Sequence, residues 1–401
     1  MSPAQELLAV AAALYLFECL VYLPRSGLLF WSGSKRHSRI IRAGNLPGSV
    51  SHGLTLGMPA PPLGTVHVTE FWPITIAPTG LCAGPVQQLD IEPGWQDGVP
   101  FIAFDAVRSV VARGRWVCIN DAAFAACAGE RSAEQWADLV RMLAAAPPAE
   151  RGPRIEAIVA TGLSLRQIEA SVAELRCATR GLRIWCNALL VFIFGVAPAL
   201  VWRWTLMQTW WVLALGLVTL WLAALVAFVR VHRRLRPTRR AERWQRVLLL
   251  GLTPVATVRA NDALARDALV RFHPLALARV LCDDDTFYAF ARSVYADLVH
   301  PPRHMAEDPA VLEAEAWLRS RLRAATERFL RDAGLEPANL LRSPTPENET
   351  CQTYCPRCAA QHVAGATECA ACPGVTLLPL RAAAVSSASR ATRDEQQPED
   401  N

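Results

Sequence analysis

Residues 184–230 read IWCNALLVFIFGVAPALVWRWTLMQTWWVLALGLVTLWLAALVAFVR. Two apolar runs, 184–202 and 209–229, are separated by only a half dozen residues. Each is long enough to cross a hydrocarbon core of about 30 Å as a helix. So short a link makes them a helical hairpin. Arg203 is the single charge of the turn, and Trp202, Trp204, Trp210 and Trp211 flank it. Such amphipathic rings favour the headgroup level of a bilayer.

A further run, QELLAVAAALYLFECLVYL at 5–23, comes first in chain order, ahead of those at 184–202 and 209–229. Residues 1–6, MSPAQE, have no positive charge, and no small-residue cleavage pattern follows the run. It reads as an uncleaved anchor rather than a signal peptide. Arginine placement then sets the orientation. Arg25, Lys35, Arg36, Arg39 and Arg42 follow the first run, and Arg176, Arg180 and Arg183 precede the second. Eight arginines against one glutamate, Arg230 to Arg246, follow the third. The expectation is a multi-pass protein of the bacterial inner membrane. Its N-terminus is periplasmic, and residues 24–183 and 230–401 are cytoplasmic. The bacterial source is read from composition, since Lys35 is the only lysine among 41 basic residues.

The juxtamembrane segment 230–246 has the charge to bind nucleic acid. Its position beside a span favours anionic lipid headgroups instead, at about 1 kcal/mol per basic residue. The run VLLLGLTPVATV at 247–258 holds Pro254 and is too short to span. It reads as an interfacial or core helix, with a re-entrant segment as the alternative. Glu18 lies within the first run. It reaches the interface or pairs with Arg25 or Arg183, and a functional intramembrane carboxylate is the other reading.

Residues 24–146 read as a small β-rich domain closed by a helix. Strands are expected at 27–31, 65–68, 73–77 and 101–104, with a hairpin at 107–120 turning at Arg113-Gly114. MPAPPLG at 58–64 is a loop. A helix over 133–146 carries Trp136, Leu139, Val140 and Leu143 on one stripe, with a Ser132/Gln135 capping box. SLRQIEASVAELRCATR at 164–180 has a second such box and a seam of Leu165, Ile168, Val172 and Leu175. It is expected as a stalk helix, 164–183, running into the second span. A dimer coiled coil, and so a homo-oligomer, is the alternative.

Residues 247–334 are expected to be largely helical. Asp308 and Pro309 suit the N-cap and N1 positions of a helix ended by Gly334. Asp283, Asp284 and Asp285 fit a cap and acidic first turn near Thr286 better than a metal site. His300 and His304 are separated by Pro301 and Pro302, which break the helix that would join them. His273 before Pro274 marks a helix boundary. A linker at 335–350 and a disordered tail at 382–401 complete the region.

Twelve cysteines fall into two groups. Seven are scattered singly and read as small buried hydrophobes. Five crowd between 351 and 372, in TYCPRCAAQHVAGATECAAC and the Cys351 before it. Cys355, Cys358, Cys369 and Cys372 form two Cys-x-x-Cys knuckles whose thiolates suit a tetrahedral metal, zinc first and a rubredoxin-like single iron second. A four-thiolate zinc has no open coordination position, so its role is structural. Cys351 and His362 are further donors that an oxidised state could recruit.

Residues 354–380 resemble the short zinc ribbons on the ends of many bacterial membrane and regulatory proteins. They depart from that pattern at Ala359, where those ribbons usually have glycine, and at Pro373-Gly374. More weakly, residues 100–146 resemble the end of pleckstrin-homology-like domains, which would imply lipid or protein contact. No P-loop, G-x-G-x-x-G or H-E-x-x-H is present. The expected whole is a multi-domain membrane protein with three transmembrane helices, a cytoplasmic β-rich domain, a helical segment and a C-terminal zinc ribbon. Its expected role is a cytoplasm-facing adaptor or scaffold with an unidentified protein partner. A membrane redox protein or sensor is the alternative.

Overall fold

The structure is a computed structural model that describes residues 39–45, 52–57, 65–68, 74–83, 101–127, 129–235, 271–301 and 308–380, with helical positions at 244, 247–248 and 268–269. The expected first span with Glu18, the strand at 27–31, the loop at 58–64, most of 236–258, His304 and the tail at 382–401 lie outside them.

Three antiparallel meanders come first. β1 (Arg39–Asn45), β2 (His52–Gly57) and β3 (Thr65–Val68) form one sheet in that order. β4 (Ile74–Ala77), β5 (Gly80–Ala83) and β6 (Ile102–Ala103) form the second. The third joins β7 (Val110–Arg113), β8 (Trp116–Ile119) and β9 (Ala122–Ala126). The expected hairpin is the β7–β8 pair, with Val110 opposite Ile119 and a left-handed Gly114 in its turn. β9 was not expected, because AAFAA has little β-propensity. The turn before it explains the strand. Asn120 and Asp121 both take positive φ, which suits a two-residue hairpin turn. The Asn120 amide oxygen also accepts from the Arg108 and Ser109 N–H groups, fixing the preceding loop.

Helix α1 (Glu130–Ala145) lies on β7 and β8 and buries Trp136, Ala137, Val140 and Leu143. It starts earlier than expected, on Gly129. Ser132 therefore sits buried inside the first turn, and the Ser132 capping box is not made. Helix α2 (Pro148–Gly162) follows, with Pro148 at the start where a missing N–H costs nothing. Helix α3 (Leu165–Val191) begins after Ser164, the expected cap position, although no side-chain bond closes the box there. Its seam residues Ile168, Val172 and Leu175 are buried, and the helix packs on α6 (Pro274–Leu281). The seam is thus covered within the chain, not left free for a coiled coil.

From α3 the chain passes through a π-helical turn (Phe192–Val196), α4 (Ala197–Arg203), a short link and α5 (Leu206–Leu235). α5 is long and apolar enough to cross a membrane. Only 17% of its most apolar stretch is buried, so it is no core helix. Trp210, Trp211, Leu215, Val218, Leu222 and Val226 stand exposed along it. α3 and α5 pack side by side, and the Phe192 ring fills the notch at Gly216, where a β-carbon would lie 2.6 Å from it. The π turn is thus where a large ring reaches a helix with no side chain in the way.

The C-terminal half supplies α6, α7 (Asp284–Val299), α8 (Pro309–Asp332) and a short α9 (Pro337–Leu340). Asp283 accepts from the Thr286 N–H at 2.7 Å and Asp308 from the Ala310 N–H at 2.9 Å, the two expected caps. Gly334 ends α8 with φ at 82°. α9 lies within the expected linker, and its Leu340 is buried, so this stretch is no free tether. α8 packs on β4, β5 and α2. One apolar cluster runs through Ile74, Leu81, Phe104, Val140, Ile155, Ile168, Leu275, Phe287, Leu318 and Phe329. The β-rich and helical regions therefore share a single core.

His273 caps α6, its Nδ1 accepting the Leu275 N–H at 3.1 Å. Burial holds its pKa down, from 6.5 to about 3. Between those values the unfolded chain binds more protons than the folded one, so stability falls as pH falls. Going from pH 7.5 to 5 is expected to cost about 2 kcal/mol through this group alone. Urea unfolding at both pH values measures it. His273→Asn keeps a capping acceptor without the titration, and should remove that part of the loss. A pH dependence unchanged in the variant would contradict the assignment.

Candidate metal centre

The C-terminal module, residues 351–380, is built from short strands. β10 (Cys351–Tyr354) pairs with β11 (Gln361–Val363) and β14 (Leu378–Pro379), and β12 (Glu368–Cys369) pairs with β13 (Cys372–Thr376). The first knuckle closes between β10 and β11. The Cys355 N–H donates to the Ala360 carbonyl and the Ala359 N–H to the Cys355 carbonyl, both at 2.9 Å. Ala359 has φ of 63°, a left-handed backbone that glycine adopts more readily than alanine. In the second knuckle Cys369 stands opposite Cys372 across a tight turn.

These two turns bring Cys355, Cys358, Cys369 and Cys372 together, with every pair of Sγ atoms within 4.8 Å. Cys358 and Cys369 are 3.7 Å apart at sulfur. Zinc–thiolate bonds of about 2.3 Å in a tetrahedron require sulfurs about 3.8 Å apart, so the donor set fits such an ion. Cys351 and His362 fall outside the group. Cys351 sits half-exposed on β10, and His362 lies on β11 opposite Thr353.

Cys355, Cys369 and Cys372 are buried, and Cys358 is exposed. Burial pushes the Cys355 thiol up to about 11, and burial with the Cys355 and Cys358 charges raises Cys372. For Cys358 burial works upward too, but the Ala360 N–H and three neighbouring thiols outweigh it and the group is lowered. A bound cation must therefore displace protons from at least Cys355 and Cys372. Affinity falls with falling pH in consequence. This small module has its own apolar cluster of Cys355, Cys369, Cys372, Val375 and Leu377, too few residues to fold unaided.

Of the seven scattered cysteines expected to be buried, five are, Cys177 is not, and Cys19 lies outside the described residues. Cys82, Cys118, Cys127, Cys186 and Cys282 are buried, and burial pushes Cys82 and Cys282 up to about 12, which makes them inert thiols. Cys177 is exposed.

Two groups went unanticipated. Arg357, inside the first knuckle, reaches Ser293 and Asp297 on α7. Arg151 of α2 is buried, with Nε donating to the Leu143 and Ala146 carbonyls at 3.1 Å and Nη1 to Pro78. Its guanidinium lies 4.9 Å over the Phe104 ring. Single arginines in an arginine-rich chain carry no local mark of burial.

Fold and site define a class: a mixed α/β body with an exposed apolar hairpin and a four-cysteine cluster able to hold a metal ion. Beyond that class, no family model, curated protein or solved structure matches the chain.

Proposed function

We propose that the chain is a bacterial inner-membrane protein whose cytoplasmic body, anchored by a helical hairpin, presents a structural zinc ribbon for docking another protein. The observation that carries the ribbon is the convergence of four thiols from two knuckles. A closed four-thiolate site offers no position for water or substrate, which favours a binding module over an enzyme.

The shared core supports the anchor. Described residues between Ile74 and Val172 and between Leu269 and Leu341 share one apolar cluster and so belong on one side of a bilayer. If α5 crosses, an odd number of further crossings must lie between them, and the run 184–203 supplies one. From Arg183 to Trp202, and from Trp211 to Arg230, the rise is about 28 Å each, close to the hydrocarbon thickness. The arginines cluster at 176–183 and 230–234, against Arg203 alone at the turn, and the arginine-rich end is the cytoplasmic one. The first span at 5–23, the headgroup contact near Arg230–Arg246 and the ribbon and pleckstrin-homology-like resemblances belong to the same reading.

Whole-cell labelling with a membrane-impermeant maleimide tests the anchor. The Arg203→Cys thiol should label in intact cells, and Cys177 only after permeabilisation; the reverse pattern would overturn the orientation. Docking is tested by a photo-crosslinker at Val363, 56% exposed on the ribbon. A discrete adduct that disappears on zinc chelation is expected. An adduct indifferent to chelation, or none, would contradict the docking role. Bound iron with a reversible redox change would replace it by electron transfer.

A further inference from the structure

The loop between Cys355 and Cys358 is Pro356-Arg357, and both residues lie against the body. The Arg292 Nε of α7 donates to the Pro356 carbonyl at 3.1 Å. At the next residue of α7 the Arg357 Nε donates to Ser293 Oγ at 3.0 Å, and it stands 3.4 Å from Asp297 Oδ2 one turn further on. Asp297 has only 4% of its side chain exposed, and that of Arg357 is 16% exposed. Beside them, the Tyr354 hydroxyl donates to the Leu341 carbonyl after α9. The ribbon thus touches the core at the same backbone that presents its first two sulfurs.

A buried carboxylate needs a nearby cation, since removing one partner of a buried pair costs several kcal/mol. Arg357 can serve only while the knuckle holds its turn, left-handed at Ala359. In so small a module, two backbone hydrogen bonds and the ion are what hold that turn, and without the ion the two bonds stand alone.

We propose that the first knuckle is a metal-dependent latch: an ion on Cys355 and Cys358 keeps Pro356 and Arg357 seated on α7, and loss of the ion releases the ribbon from the body. The latch rests on the metal reading above and adds to it that occupancy is transmitted to Asp297 in the core. Linkage makes the coupling reciprocal, so whatever weakens the seat weakens metal binding by the same factor.

The test uses the full chain in lipid nanodiscs, with zinc affinity measured by competition against a chromophoric chelator. Asp297→Asn and Arg357→Gln should each lower zinc affinity about tenfold. The double variant should bind no more weakly than either single one, because both remove the same contact. Chelation of the wild type should also raise hydrogen exchange across residues 292–299. If Asp297→Asn does not fold, Ser293→Ala takes its place, with a drop of about threefold expected. Wild-type affinity in these variants, multiplying effects in the double variant, or unchanged exchange on α7 after chelation would overturn the latch while leaving the metal site standing. A chain that binds no zinc would overturn the metal reading itself.

Discussion

Cys355→Ser is expected to lower zinc affinity roughly a hundred- to thousandfold. Structural four-ligand sites bind with about 10–16 kcal/mol in all, so one ligand is worth about a quarter of that. The substitution removes a buried sulfur at the root of the first knuckle, where the Cys355 carbonyl also accepts the Ala359 N–H. Without the ion, three remaining thiols and a handful of apolar residues cannot hold the turns together. Residues 351–380 should become cleavable by protease in the variant while the body stays resistant. Competition titration and limited proteolysis read the two effects. A variant with unchanged affinity and an intact ribbon would show that Cys355 is no ligand.

Arg151→Ala is expected to destabilise the body by about 3–5 kcal/mol, on the scale of breaking a buried, hydrogen-bonded charge. Arg151 is the fastener between three elements. Its Nε serves the carbonyls of Leu143 and Ala146 at the C-terminus of α1, and Nη1 serves Pro78 in the β4–β5 turn. Its removal takes a buried donor from the Ala146 and Pro78 carbonyls, leaves Leu143 with the Ala146 N–H alone, and takes the cation from over the Phe104 ring. The ion pair to Asp105 is a minor part, since that carboxylate is 86% exposed. Asp105→Ala should therefore cost less than about 1 kcal/mol. Denaturant unfolding of the two variants side by side checks the contrast, and equal losses would refute it.

Where the sequence was legible, the signal was local and had a strong physical cause. Knuckle spacing announced the four-thiol cluster, because two close turns are enough to converge four sulfurs. Asp283 and Asp308 could be read as caps because each stands before an apolar periodicity. The 209–229 run lies wholly within α5. What escaped was either weakly patterned or long-range. α2 was missed because Pro148, Gly152 and Pro153 obscure the buried stripe of Ile155 and Val159. β9 was missed because alanine does not announce a strand, although Asn120-Asp121 signalled its turn. The Ser132 box failed because tertiary packing drew the helix start back to Gly129. The seating of Arg357 on Asp297 joins residues 60 apart in the chain, a pairing no spacing rule foresees.

The central claim is a closed metal centre in a membrane-anchored chain. It is tested most directly by elemental analysis of protein extracted from membranes, combined with thiol counting before and after denaturation. One zinc per chain is predicted, with four cysteines reacting only once the ion is removed. Metal-free protein whose Cys355, Cys358, Cys369 and Cys372 all react in the folded state would contradict it.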